Sequence, residues 1–394
     1  MKALRNWFDK QKPHLEKGGK FHMFKSGFEA IEVFLFVPNR TTKQGTHIRD
    51  YVDLKRTMTV VIFALIPALL FGMYNVGYQH FIATGQQISF WPVFGFGFLK
   101  VLPIIIVSYV VGLGIEIAAA QMRGHEVNEG YLVTGMLIPL VLPVTTPLWM
   151  IAIAVAFSVV FAKEVFGGTG MNIWNPALVA RAFLFFAYPS QMSGDSVWIS
   201  LGDKAMIDGF SGATPLSQAA AAATKPIAEV AANHGISYSL MDMFLGFIPG
   251  SIGETSKLAI LIGAAILLIT RIGSWKIMLS TVLGGLFMGT ILNIFAVNSY
   301  MAVPAWQHLM MGGFAFGAIF MVTDPVSGAQ TNRGKWIYGF LIGVFGIMIR
   351  VVNPAYPEGI MLAILIMNMF APLIDYYVVQ GNIKRRLKRA IVKA

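Results

Sequence analysis

Three sets of residues in this chain have types and spacings that can do chemistry. The first is Asp208-Gly209-Phe210-Ser211-Gly212-Ala213-Thr214, in the longest polar interruption of a very apolar sequence. Gly209 and Gly212 permit positive φ, and Ser211 and Thr214 carry hydroxyls that cap nearby backbone. Pro215 pushes Thr214 towards an extended conformation that presents its side chain. On physics alone this is a small, turn-prone segment with one exposed hydroxyl, which also describes an ordinary surface loop. The second set is Gly167-Gly168-Thr169-Gly170-Met171-Asn172-Ile173-Trp174-Asn175-Pro176, a glycine-rich break between apolar segments. Its open backbone and the amides of Asn172 and Asn175 suit the polar edge of a flat ring, and Asn equally caps a broken helix. The third set is the acids Glu116, Glu164, Asp324 and Asp375, which fall in or beside apolar segments. Carboxylates at such places are costly and are functional candidates by default. Glu116, Asp324 and Asp375, with Thr323 and Ser327, offer the hard oxygens that sodium takes. The competing reading pairs each acid with Lys163, Arg181 or Arg350. Gly112-Leu113-Gly114 either admits a flat ligand to a helix backbone or serves close helix packing.

The elements that must position these residues are membrane helices. The chain has 394 residues, 56% of them hydrophobic and only 12% charged, against about 25% charged in soluble proteins. Mean hydropathy is +0.65. Ten apolar segments read as an all-α polytopic membrane protein: 57–78, 93–120, 131–143, 148–166, 174–188, 257–271, 275–296, 308–323, 335–351 and 357–378. Several are shorter than the ~20 residues a straight span needs, and several are bounded by Pro, Gly or Asn. Asn175-Pro176-Ala177 and Asn353-Pro354-Ala355 lie 178 residues apart, each before an apolar segment. Two inverted five-helix repeats with broken helices follow as the expectation. The divisions are a basic arm (1–56), a first repeat (57–188), an external loop (189–256), a second repeat (257–379) and a basic tail (380–394). Glu29 to Val37 suits a short surface helix, and the five alanines 219–223 suit another within the loop. Absence of cysteine excludes disulfides and thiolate metal sites. No GxGxxG follows a strand, so no dinucleotide fold is supported. The scattered histidines do not suggest haem or a metal pair.

These motifs carry a resemblance. With His125-Glu126-Val127-Asn128-Glu129-Gly130, Lys163 to Gly170, Asn175 to Leu178, Thr323 to Ser327 and Val352 to Gly359, the whole chain resembles the B subunits of sodium-translocating NADH:quinone oxidoreductases. The D subunits of Rnf ferredoxin:NAD oxidoreductases share the core motifs, but generally lack a long basic arm. The resemblance implies FMN attached by a flavin transferase through a phosphoester to Thr214, with Asp208, Ser211, Gly212 and Ala213 completing the motif. It implies riboflavin, held without a covalent bond, at Asn172 and Asn175. It implies ubiquinone near Gly112, where Gly114 departs from the family's usual adjacent pair of glycines. It further implies sodium uptake or release at Glu116, Asp324 and Asp375, partner subunits A, C, D, E and F, and residence in the bacterial cytoplasmic membrane. No nucleic acid is implied. The rivals are an Rnf-type subunit that uses no quinone, and a passive channel or transporter for a small polar solute.

Charge gives an orientation. The net charge is +11, yet twelve of the 30 Lys and Arg lie in 1–56 and six in 380–394. That places both ends in the cytoplasm beside anionic lipid. The loop 189–256 holds only Lys204 and Lys225 against Asp195, Asp203, Asp208, Glu229, Asp242 and Glu254, and so falls outside, with Thr214. A cysteine introduced at Asn233 should therefore react with an impermeant thiol reagent added to intact cells, and one at Thr331 should not. Labelling of Thr331→Cys from outside would overturn the orientation.

Overall fold

The computed structural model describes residues 2–15, some positions between 25 and 48, 54–124, 127, 130–192, 198–201, 212–221, 239–298, 300–353 and 359–391. Among the described residues the chain is helical, without strands. Helix α1 is Lys2–Leu15, where Phe8 is buried against Trp7, Phe28 and Phe36. Most of the segment 29–37 lies outside the described residues.

Helices occupy each of the ten apolar segments. Six elements are long and apolar enough to cross a membrane: α2 (Leu54–Ala83), α3 (Phe90–Arg123), α5 (Leu148–Ser158, continuing to Phe166), α9 (Trp275–Ile294), α10 (Asn332–Val352) and α11 (Gly359–Ile391). The chain is thus a multi-pass membrane protein. Helices α4 (Gly130–Leu140), α6 (Pro176–Ala187) and α8 (Lys257–Ile269) are apolar but short. The segment read as 308–323 is not one helix: it comprises Gln307–Met310, Phe314–Phe316 and a π turn, Gly317–Met321. Gly312, at φ +58°, falls between its pieces. The first segment extends beyond 57–78, because Lys55 and Arg56 are good helix formers and nothing breaks the chain before Thr84-Gly85. The alanines 219–221 close α7 (Pro215–Ala221).

The breaks have sequence causes. After α5 the chain makes a π turn (Val159–Lys163) and a 3₁₀ turn (Glu164–Phe166). It then passes Gly167, Gly168 and Gly170 at φ +118°, +95° and +92°, where a side chain would be strained. Asn175 restarts helix: its Oδ1 accepts from Ala177 N at 3.0 Å, with Pro176 at the first position of α6. Ser158 Oγ donates to the Pro176 carbonyl and stitches the break shut.

Packing follows a similar order in both halves. α3 packs on α4 and α5, and α5 on α6; α9 packs on α10, and α10 on α11. The halves meet where α2 packs on α8 and α6 on α11. Glycine sets the closest approach of α9 to α10: Gly284 lies against the Phe340 backbone and Gly343 against that of Thr281. Gly343→Leu should wedge the two helices apart and cost about 1–3 kcal/mol, lowering the unfolding midpoint of the purified protein. Gly114→Leu should leave it unchanged, because Gly114 faces open space. Equal midpoints for the two variants would count against this packing.

Candidate functional site

The first half places a buried ion pair beside a cleft. Glu116 and Gly112 lie one turn apart on the buried face of α3. Lys163, last residue of the π turn, donates from Nζ to Glu116 Oε1, and both side chains are 4% exposed. The ammonium also lies 5.7 Å from the centre of the Tyr131 ring. Tyr131 donates to the Ser108 carbonyl at 2.8 Å, and its ring occupies the space a Cβ on Gly112 would take. Gly112 therefore serves close packing against α4, whereas Gly114 points into open space; the two do not share a pocket. Glu164 is paired separately, with Arg123 Nη1 at 2.8 Å, while Arg123 Nη2 donates to the Glu164 carbonyl at 2.5 Å.

Lys163 lines an open cleft with about 90 Å³ of free space. Thr169, Asn172, Asn175 and Pro176 come from the first break, Thr57 and Thr134 from α2 and α4, and Thr323 and Asp324 from the second half. Asn172 and Asn175 also serve the backbone, donating to Trp174 O at 2.9 Å and capping α6. Asp324 accepts from Ser327 Oγ at 2.6 Å and from the N–H groups of Val326 and Ser327. The fold thus brings Asn172, Asn175 and Asp324 together with Glu116's partner. Asp375 is elsewhere: it accepts from Gln330 N at 2.6 Å and from Thr331 N at 3.0 Å, and so holds the start of α10. Arg181 donates to Met192 Sδ and lies over Trp198, and Arg350 donates to the His308 carbonyl; neither is shown on one of these acids.

Thr214 lines a second, smaller pocket, with about 30 Å³ of free space. Gly212 approaches it at φ +61°, and Ala213 and Thr214 are buried. Asp208 and Ser211 lie outside the described residues. Thr214 Oγ1 accepts weakly from Ser217 N, at 3.3 Å. Trp198, Ser251, Glu254, Thr255 and Lys257 line the pocket. Its far wall is pinned to the end of α4, with Gly253 N donating to Leu140 O at 2.7 Å and Ser251 Oγ to Val141 O at 3.1 Å. Helix α8 joins the two sites. Lys257 lines the second pocket and Leu267 the cleft, a separation of about 15 Å along a helix.

Among the described residues no His, Asp or Glu cluster is arranged to hold a metal. Tyr131, Glu254 and Lys257 stand at these sites without having been candidates on sequence grounds. For the last two the signal was a pair of opposite charges three residues apart at the mouth of an apolar run.

A family model described as the NQR2, RnfD, RnfE family matches residues 41–384. This chain belongs to that family. Among its relatives, a protein from Chromohalobacter salexigens is 48% identical, covering 98% of this chain and 97% of its own length. One from Pseudomonas aeruginosa is 49% identical over 98% and 99%, and one from Ectopseudomonas mendocina 48% over 99% and 100%. Each is named as the B subunit of a Na(+)-translocating NADH-quinone reductase.

The Lys163–Glu116 pair gives this member of the NQR2, RnfD, RnfE family a stability test. Glu116→Gln strands a buried ammonium, a loss of about 3–5 kcal/mol for broken buried pairs. Glu116→Gln combined with Lys163→Met should regain most of that stability, read as the unfolding midpoint in detergent. If the double variant falls as far as the sum of the single ones, the two residues are not coupled.

Proposed function

We propose that this chain is the flavin-carrying B subunit of a Na+-translocating NADH:ubiquinone oxidoreductase. On this reading it carries FMN on Thr214 and riboflavin at Asn172 and Asn175, and takes part in passing electrons to ubiquinone while sodium is moved outward. The observation that carries the reading is the pair of pockets joined by α8, one lined by Thr214 and the other by both asparagines. Near-full-length identity to relatives bearing that name supports it.

The residues fit the groups. Flavins supply the electron chemistry that a cysteine-free chain lacks, and the protein supplies attachment, orientation and electrostatics. Thr214 offers a hydroxyl engaged by a long hydrogen bond from Ser217 N. In the cleft, Asn172 and Asn175 offer amides, Thr169 a hydroxyl and Lys163 a cation to a polar ring edge. Asp324 brings a carboxylate to the same cleft, and Glu116 stands behind Lys163; they are the proposed sodium residues here, with Asp375 at the start of α10 as a third. Quinone is assigned to the part of α3 that carries Gly112 and Gly114, which look to opposite sides of the helix.

The finer architecture belongs to the same proposal. Each half has five helical segments, and α3–α5–α6 pack in the order of α9–α10–α11. Ten spans in two inverted repeats account for these matches, with the short helices α4 and α6 and the broken segment 307–321 reaching membrane depth without crossing it straight. Both termini face the cytoplasm of a bacterial inner membrane, where subunits A, C, D, E and F complete the complex.

Thr214→Val keeps the shape and deletes the hydroxyl. Covalent flavin fluorescence on a denaturing gel should vanish, while the protein still folds and inserts. Mass spectrometry that finds FMN on Thr224 or another residue of the wild-type chain would refute the assignment.

A further inference from the structure

The pocket beside Thr214 is lined by charge that attachment alone does not require. Lys257 is 4% exposed and opens α8, whose N-terminal end carries partial positive charge towards the pocket. Its ammonium donates to three backbone carbonyls: Glu254 O at 2.6 Å, Thr255 O at 3.3 Å and Gly312 O at 3.3 Å. Carbonyls satisfy an ammonium's hydrogens without cancelling its charge. A buried cation held this way is costly unless an anion comes near, and Glu254, buried in the same pocket, already supplies one negative charge. Thr255 adds a second observation. It is 3% exposed, lines the same pocket, and its Oγ1 has no hydrogen-bond partner among the described residues. Buried hydroxyls are normally satisfied, so an unpartnered one facing a pocket marks the place of a missing acceptor. Leu216, two residues after Thr214, packs against Gly312, whose carbonyl Lys257 holds. The attachment residue and the lysine are thereby tied to one point of the backbone.

We propose that Lys257, Thr255 and the N-terminus of α8 form a cradle for the phosphate of the group attached to Thr214. The Thr255 hydroxyl donates to a phosphate oxygen, the Lys257 ammonium faces its charge, and Glu254, buried in the same pocket, tempers the cation when the site is empty. Lys257 and Thr255 are positioning residues that orient the ester. This inference rests on attachment of FMN to Thr214.

The test is a double-variant cycle in purified, flavin-bearing protein. Mass spectrometry first establishes FMN on Thr214 of the wild type; its absence there overturns the underlying reading before any variant is compared. Unfolding midpoints are then measured for wild type, Thr214→Val, Lys257→Met and the double variant. Attachment should raise the midpoint in the Lys257 background. In the Lys257→Met background the gap between flavin-bearing and Thr214→Val protein should narrow by about 2–4 °C, and Lys257→Arg should restore it. Thr255→Val, which keeps shape, should narrow the gap in the same direction and carries the test if Lys257→Met does not fold. An unchanged gap in Lys257→Met and Thr255→Val would show that these residues only brace the backbone, and would overturn the cradle.

Discussion

Backbone that leaves a helix at membrane depth must find its hydrogen bonds inside the protein, because lipid offers none. The breaks in this chain obey that constraint with a small set of polar side chains. Arg123 takes the Glu164 carbonyl, Ser158 takes that of Pro176, Lys257 takes three, and Arg350 takes that of His308. Asn175, Thr331 and Asp375 satisfy N–H groups at the starts of α6 and α10. Polar residues therefore collect where helices are interrupted, and both pockets lie at interruptions. The groups that make the breaks tolerable also equip them to bind.

Buried charge is handled differently in the two halves. Around the cleft it is matched acid to base, Glu116 with Lys163 and Glu164 with Arg123. A matched pair contributes little net stability, yet removing either member is strongly destabilising. Around Thr214 the ammonium of Lys257 is met by neutral carbonyls instead. The first arrangement cancels charge by direct contact; in the second the ammonium's hydrogens go to backbone, with Glu254 in the same pocket.

The helical class, the membrane habit and the interruption between α5 and α6 were legible in the sequence, because apolar runs and Gly-Asn-Pro clusters are local signals; the break at Gly312, inside the run read as 308–323, was not. Of the two Asn-Pro-Ala triplets, the first opens α6 as its residue types suggest, while residues 354–358 of the second lie outside the described structure. The partners of the acids were not legible. Arg181 and Arg350 were as plausible as Lys163 on spacing, and only the fold pairs Lys163 with Glu116. That Asp375 holds the start of α10 depends on a contact 44 residues away, which no local pattern encodes. The roles of Gly112 and Gly114 divide for the same reason: two residues of helix turn them by about 200°, so one meets Tyr131 and the other does not.

The π turn at Val159–Lys163 is an α-helix with one residue too many for its length. The wider turn absorbs that extra residue, because five residues there rotate about as far as four of regular helix. Deleting one of the four residues before Lys163 would close the bulge and leave Lys163 near Glu116. Between Gly167 and Asn175 no wide turn absorbs a change in number, so there a deletion would carry the cap of α6 away from Ser158. The same segment thus tolerates a lost residue on one side of Lys163 and not on the other.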